Sequence, residues 1–165
     1  MTSAQLISWV VSAITFGTVI MFGCIGETIN QKAGNLNLGV PGIMQLGGIG
    51  ALTGAFIYES STATPNGTIG MICALLCAIL ASALGSLIYS FLTVTLKANQ
   101  NVTGLTLTIF GTGIANFFGG SLMKLSGGVG SISVATTANV FKLRLPFISG
   151  KLGLFGSLFL NYGWM

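Results

Sequence analysis

The stretch that decides the fold is ETINQKAGNLNLGVPG, residues 27–42, a polar segment with apolar sequence on both sides. LISWVVSAITFGTVIMFGCIG precedes it, and IMQLGGIGALTGAFIY follows it. An unpaired polar group in hydrocarbon is costly, because no water is there to replace its lost hydrogen bonds. The segment must therefore face water, line a cavity, or be buried in protein.

The composition around this segment is that of an integral membrane protein. Only 5% of the residues are charged, 52% are hydrophobic, and the mean hydropathy is +0.90; an ordinary soluble domain carries about 25% charged residues. The only acids are Glu27 and Glu59. The net charge of +4 is small and scattered, so it does not indicate a nucleic-acid-binding surface. We predict an all-α, polytopic helical bundle.

Four segments are long and apolar enough to span a bilayer, which takes about 20 residues. They are residues 6–26, 39–58, 68–96 and 102–123, and a fifth apolar segment covers residues 152–165. The fifth is too short to span, so we expect a single, incomplete transmembrane domain over residues 1–165. The alternation in VFKLRLPF, residues 140–147, favours a strand or an amphipathic segment near the surface.

Small residues recur along the second and third predicted spans. In the third span they lie four apart and form one face, which lets a neighbouring helix approach closely. The second span repeats this spacing. The predicted packing positions are Gly50, Gly54, Ala81 and Gly85.

Several kinds of chemistry are excluded by the residues that the sequence lacks. It has no histidine and no aspartate, so neither a Ser–His pair nor an aspartyl pair can form. Its three cysteines make a poor metal-ligand set without histidine. It also lacks the GxxxxGK[ST] phosphate-binding motif. We predict no enzymatic activity, no cofactor and no metal, so energy for transport must come from a partner or an ion gradient.

Two interpretations of the polar segment remain equal on physical grounds. Gly34, Gly39 and Gly42, together with Pro41, interrupt helical continuity, and Asn35 and Asn37 lie at the break. A membrane helix broken in this way can line a passage for an uncharged polar solute. An ordinary aqueous loop between two helices fits as well. Glu27 could relay protons or ions, although pairing with Lys32 or capping a short helix is the simpler role.

Two runs of sequence resemble permease subunits of ABC importers, in the branch for nucleosides, simple sugars and branched-chain amino acids. They are GETINQKAGNLNLGVPGIMQLGGIGALTGAF, residues 26–56, and LKANQNVTGLTLTIFGTGIANFFGG, residues 96–120. The nucleoside-type members are the most similar, and the resemblance corresponds to their N-terminal half. Pro41 departs from the pattern, since the family usually has Glu there.

The resemblance implies a permease subunit of an ATP-driven importer for nucleosides or a related small polar solute. It implies cytoplasmic ATPase subunits, a second permease subunit and an external solute-binding lipoprotein as partners, with lipid around a multi-pass protein of a bacterial plasma membrane. A sugar or branched-chain amino acid permease, and a non-transporting fragment of a disrupted permease gene, are the alternatives. The candidate pathway residues in the two runs are Glu27, Asn35, Asn37, Asn101, Thr103 and Asn116.

The orientation in the membrane has two opposed indications. The family pattern places the corner at Lys97 in the cytoplasm and the link over residues 124–151 outside. The positive-inside rule favours the reverse, because that link carries four basic residues. We follow the family pattern.

Overall fold

The computed structural model describes residues 3–127, 132 and 134–141. The five α-helices there are α1 (Ser3–Lys32), α2 (Val40–Ser61), α3 (Gly67–Ser90), α4 (Gln100–Leu125) and α5 (Ala135–Phe141). A π-helical turn, Phe91–Thr95, continues α3. The described residues contain no strand, and the prediction of an all-α membrane bundle is confirmed.

Four helical segments are long and apolar enough to cross a membrane: Ser12–Lys32, Val40–Ser61, Gly67–Thr95 and Gln100–Leu125. The apolar segment at residues 152–165 lies outside the described residues. So does most of the segment 140–147, whose first two residues end α5 as helix and not as strand.

The first helix continues past residue 26, where the sequence predicted its end, and includes Glu27 and Lys32. Glu, Gln and Lys are good helix formers, and the side chain of Gln31 donates to Glu27 Oε1 one turn earlier at 3.2 Å. Gly34 then ends the helix with φ +87°, a conformation that glycine adopts readily. The Gly34 and Asn35 N–H groups bond back to the Gln31 and Asn30 carbonyls, which forms a Schellman motif. The break is therefore residues 33–39, and Pro41 and Gly42, which the sequence predicted to interrupt the helix, lie in the first turn of α2.

The second helix lies at the centre and packs closely against α3 and α4. At Gly42, an added Cβ would lie 2.5 Å from the Leu107 carbonyl oxygen, so the backbones of α2 and α4 are in direct contact. Gly111 faces the Gly42 carbonyl in the same contact. Among the described helices, α1 packs closely only against α2. The three central helices thus form a compact unit, and α1 lies at its side.

The short helix α5 is held against the far end of α2 and α3. The Thr137 N–H donates to Glu59 Oε1 at 2.7 Å, and the Thr137 hydroxyl contacts the position of Gly70. Glu59 is near the C-terminal end of α2, whereas the break at residues 33–39 precedes its N-terminal end. The two acidic residues therefore form hydrogen bonds near opposite ends of α2: Glu27 before its first residue and Glu59 near its last.

Candidate functional site

The loop of residues 33–39 is tied to helices that are distant in sequence. Gln100, in the first turn of α4, accepts from the Leu36 N–H through Oε1 at 2.9 Å and donates to Asn35 Oδ1 through Nε2 at 3.1 Å. Both ends of one side-chain amide are thus used on the loop. Gln100 is positioned by the N-cap residue Asn99, whose side chain accepts from the N–H groups of Asn101 and Val102.

Two hydroxyl groups satisfy backbone carbonyls of the same loop. The Tyr89 hydroxyl on α3 donates to the Leu36 carbonyl at 2.7 Å, and Thr108 on α4 donates to the Leu38 carbonyl at 2.8 Å. Tyr89 is buried, with 5% of its surface exposed. Irregular backbone inside a membrane protein needs such partners, because lipid offers none. The loop is consequently fixed within the bundle by side chains of α3 and α4.

Glu27 ties the loop to α1. Its Oε1 accepts from the Asn37 N–H at 2.9 Å as well as from Gln31. Its Oε2 is buried and has no hydrogen-bond partner among the described residues. Lys32 is exposed, and the hydrogen bonds of Glu27 go to Gln31 and Asn37. The carboxylate thus has one oxygen committed to the loop and one that is unpaired.

Asn37 shapes the last turn before α2. Its Oδ1 accepts from the Gly39 N–H at 2.8 Å, so the side chain replaces a backbone acceptor in an Asx turn. Gly39 follows in close contact with α4, where an added Cβ would lie 3.1 Å from Leu107 Cδ2. Pro41 comes in the first turn of α2, a position where its missing N–H costs nothing. The Asx turn and this close contact together set where α2 begins.

Two cavities share Glu27, Asn37, Val40 and Met44 in their linings. The first, of about 500 Å³, lies between α1, α2 and α3 and adds Asn30, Ser86, Tyr89 and Ser90 as its further polar lining. The second, of about 630 Å³, lies between α1 and α2 and includes Cys24 and Gln45. The Glu27 and Asn37 residues, which line both cavities, are half-buried. The polar groups that line the two cavities are one carboxylate and several uncharged amides and hydroxyls, which suit a polar solute that carries hydrogen-bond donors.

The other predicted pathway residues are more dispersed. Asn35 bonds to Gln100 and is absent from both cavity linings. Thr103 is buried beside a third cavity of about 330 Å³, and the linings of all three cavities are mainly apolar. Asn101 and Asn116 are exposed on α4, and Asn116 lies roughly 20 Å beyond Thr103 along the helix axis. The structure therefore brings Glu27 and Asn37 together, with Asn35 nearby in the same loop.

Sequence reasoning missed three residues of this site: Tyr89, Gln100 and Thr108. Gln100 stood in the second run that carried the resemblance, and a lone tyrosine on the small-residue helix α3 was a further signal. Each bonds to a loop that lies more than fifty residues earlier. Helical periodicity carries no information about such pairs.

The predicted packing residues lie where α2 meets α3. An added Cβ at Gly50 would lie 2.7 Å from Ala81 Cβ, and one at Gly54 would lie 2.7 Å from Cys77 Sγ. At Gly85, an added Cβ would lie 2.9 Å from Leu46 Cδ1. These distances leave no room for a side chain, so the two helices approach through small residues.

No solved structure matches the chain. The chain is 33% identical over 120 residues to a putative glucose ABC transporter permease protein of Haloferax volcanii, which covers 70% of this chain and 32% of that protein. The chain thus spans about one third of the length of this curated relative. Residues 9–163 match the family described as branched-chain amino acid transport system / permease component. Since that match covers nearly all of the sequence, the chain belongs to this family of transporter permease components.

Proposed function

We propose that this chain is a permease subunit of an ATP-driven importer for nucleosides or a related small polar solute. The family match supports a transport role and a multi-pass membrane location. The observation that carries the choice of solute is the pair of cavities that share Glu27 and Asn37. Their polar groups are mainly uncharged amides and hydroxyls, which suit a neutral solute with several hydroxyl or amide groups.

The proposal includes partners that supply what the sequence lacks. Since it has no phosphate-binding motif, ATP hydrolysis falls to cytoplasmic ATPase subunits. A second permease subunit would complete the pathway, and an external solute-binding lipoprotein would deliver the solute. The setting is the plasma membrane of a prokaryote; we favour a bacterium, while the relative from Haloferax volcanii is archaeal.

A sugar is the second candidate solute, because the relative is described as a putative glucose permease. A hexose and a nucleoside share a ring with adjacent hydroxyl groups, so both suit the same carboxylate and amide groups. A branched-chain amino acid is zwitterionic: the Glu27 carboxylate would attract its ammonium group, but among the described residues the linings of the two cavities contain no Lys or Arg to hold its carboxylate. The site therefore favours the two neutral solutes over the amino acid.

The test is uptake by the assembled transporter that contains this chain, reconstituted in proteoliposomes with its ATPase subunits and binding protein. ATP-dependent accumulation of radiolabelled inosine, glucose and leucine is measured in parallel, and vesicles without ATP are the control. Accumulation of inosine in preference to glucose is the expected result. Preference for glucose would select the sugar permease, and no ATP-dependent uptake of any of the three would contradict the proposed function.

A further inference from the structure

The second oxygen of the Glu27 carboxylate is in an unusual position. Oε2 is buried and has no hydrogen-bond partner among the described residues, while Oε1 on the same group accepts two hydrogen bonds. A buried polar atom without a partner is costly, and the cost is larger for a charged group. Such atoms in folded proteins call for a specific explanation.

The surroundings of Glu27 indicate what could supply the missing partner. The carboxylate belongs to both cavities, and it shares that position with Val40 and Met44. Met44 also contacts α1, since an added Cβ at Gly23 would lie 2.9 Å from its sulfur. Methionine is unbranched and has three rotatable bonds, so it changes conformation more easily than its neighbours. Because Oε2 is buried, a donor can reach it only when a lining side chain moves, and Met44 lines both cavities with Glu27.

We propose that Glu27 Oε2 accepts a hydrogen bond from a hydroxyl group of the transported solute. This assignment rests on the proposed function and names the residue that selects a solute with a free hydroxyl. A carboxylate forms a shorter and stronger bond to a hydroxyl than a neutral acceptor does. The same charge repels anionic solutes, so it discriminates between a free nucleoside and a phosphorylated one.

The two carboxylate oxygens then have separate roles. Oε1 keeps its bond to the Asn37 N–H and so holds the loop to α1 whether or not solute is present. Oε2 is unpaired without solute and paired with it. The energy of that unpaired state is recovered when the hydroxyl binds, which strengthens the preference for a solute with the matching donor.

The experiment uses the assembled transporter, with Glu27→Gln compared against Glu59→Gln. The amide oxygen of Glu27→Gln can still accept from Asn37, while an NH₂ group replaces Oε2. Glu59→Gln makes the same chemical change at the far end of α2, where the Glu59 carboxylate accepts a hydrogen bond from the Thr137 N–H. Initial uptake rates are measured for inosine and for its 2′-, 3′- and 5′-deoxy analogues.

We expect the KM for inosine to rise at least about tenfold in Glu27→Gln, as for loss of a hydrogen bond to a charged group. One deoxy analogue should be a poorer substrate than inosine for the wild type, and that difference should shrink in Glu27→Gln. Glu59→Gln should match the wild type. Wild-type KM values and an unchanged analogue difference in Glu27→Gln would overturn the assignment alone, whereas absence of uptake by the wild type would overturn the proposed function.

A second measurement needs no substitution, so it applies if Glu27→Gln fails to fold. Cys24 is exposed and lines the larger cavity together with Glu27. Solute bound at Oε2 should slow alkylation of Cys24 by N-ethylmaleimide, which peptide mass mapping follows in the wild type. Protection by inosine that one deoxy analogue fails to give would support the assignment. Equal protection by inosine and all three analogues, or none, would overturn it.

Discussion

The hydroxyl group of Tyr89 lies 2.7 Å from the carbonyl oxygen of Leu36, and this contact joins the middle of the broken segment to α3. The two residues are 53 positions apart in the sequence. Tyr89 is buried, and Thr93 bonds back to its carbonyl one turn later at 2.9 Å. The loop position therefore depends on a side chain that is itself fixed by packing.

Removal of that hydroxyl should destabilise the bundle. Tyr89→Phe keeps the ring but leaves the Leu36 carbonyl without its partner, which should cost about 1–3 kcal/mol of unfolding free energy. The matched control is Tyr58→Phe, because the Tyr58 hydroxyl accepts from the Asn66 N–H in an exposed loop at 3.1 Å. Unfolding by SDS in mixed micelles gives both values. An equal loss in the two variants would contradict a special role for Tyr89.

The Asn35 and Gln100 side chains should be energetically coupled. They bond to each other at 3.1 Å, so the double variant Asn35→Ala/Gln100→Ala should lose less stability than the sum of the single variants. We expect a coupling energy of about 1 kcal/mol. Asn35→Ala combined with Asn116→Ala is the control pair, since distant sites are additive within about 0.5 kcal/mol. Additivity in the first pair would show that the bond contributes nothing to stability.

Even one methyl group should disturb the contact between α2 and α3. In Gly50→Ala the new Cβ would lie 2.7 Å from Ala81 Cβ and 2.8 Å from the Cys77 carbonyl oxygen. Overpacking of this kind costs about 1–3 kcal/mol. Gly48→Ala is the control on the same helix, because no atom of the described residues lies within 4 Å of its added Cβ. Melting temperatures in detergent should fall for Gly50→Ala only, and equal values would refute the close contact.

Asn37 should matter for transport more than for membrane insertion. Asn37→Leu removes the amide from both cavities and the acceptor of the Gly39 N–H, so we expect uptake to fall at least about tenfold, in line with loss of one or two hydrogen bonds. Ser121→Ala is the control, since that hydroxyl donates to the Phe117 carbonyl in its own helix. Uptake is normalised to the amount of protein in the membrane. Wild-type uptake by Asn37→Leu would remove Asn37 from the pathway.

The sequence predicted the helical bundle well, because four long apolar segments leave few alternatives in a membrane. It also predicted that the polar stretch near residue 34 interrupts the helices. It did not predict that Glu27 and Lys32 are still helical, since polarity alone marks the segment and not its conformation. The favourable helix propensity of these residues and the glycine at position 34 determine where the helix ends.

The details of the site were harder to predict for a physical reason. Tyr89, Gln100 and Thr108 act on the loop through single hydrogen bonds between distant segments, and such bonds leave no periodic pattern. The π-helical turn Phe91–Thr95 was also unexpected, because one additional residue in a turn does not change the apolar character of a span. Apolar patterns identify which faces pack, whereas polar contacts depend on the register in which the helices pack.

The direct backbone contact between Gly42 and Gly111 has a mechanical consequence for the whole bundle. Where two main chains touch, no flexible side chain lies between them to absorb a change in spacing, so a sliding motion of α2 against α4 meets hard contact at once. The same stiffness applies where Gly50 meets Ala81 on α3. The three central helices α2, α3 and α4 should therefore move as one rigid body. Any change of shape around the cavities then falls to the part of α1 that precedes Glu27, because the bond from the Asn37 N–H to Glu27 holds the end of that helix to the loop.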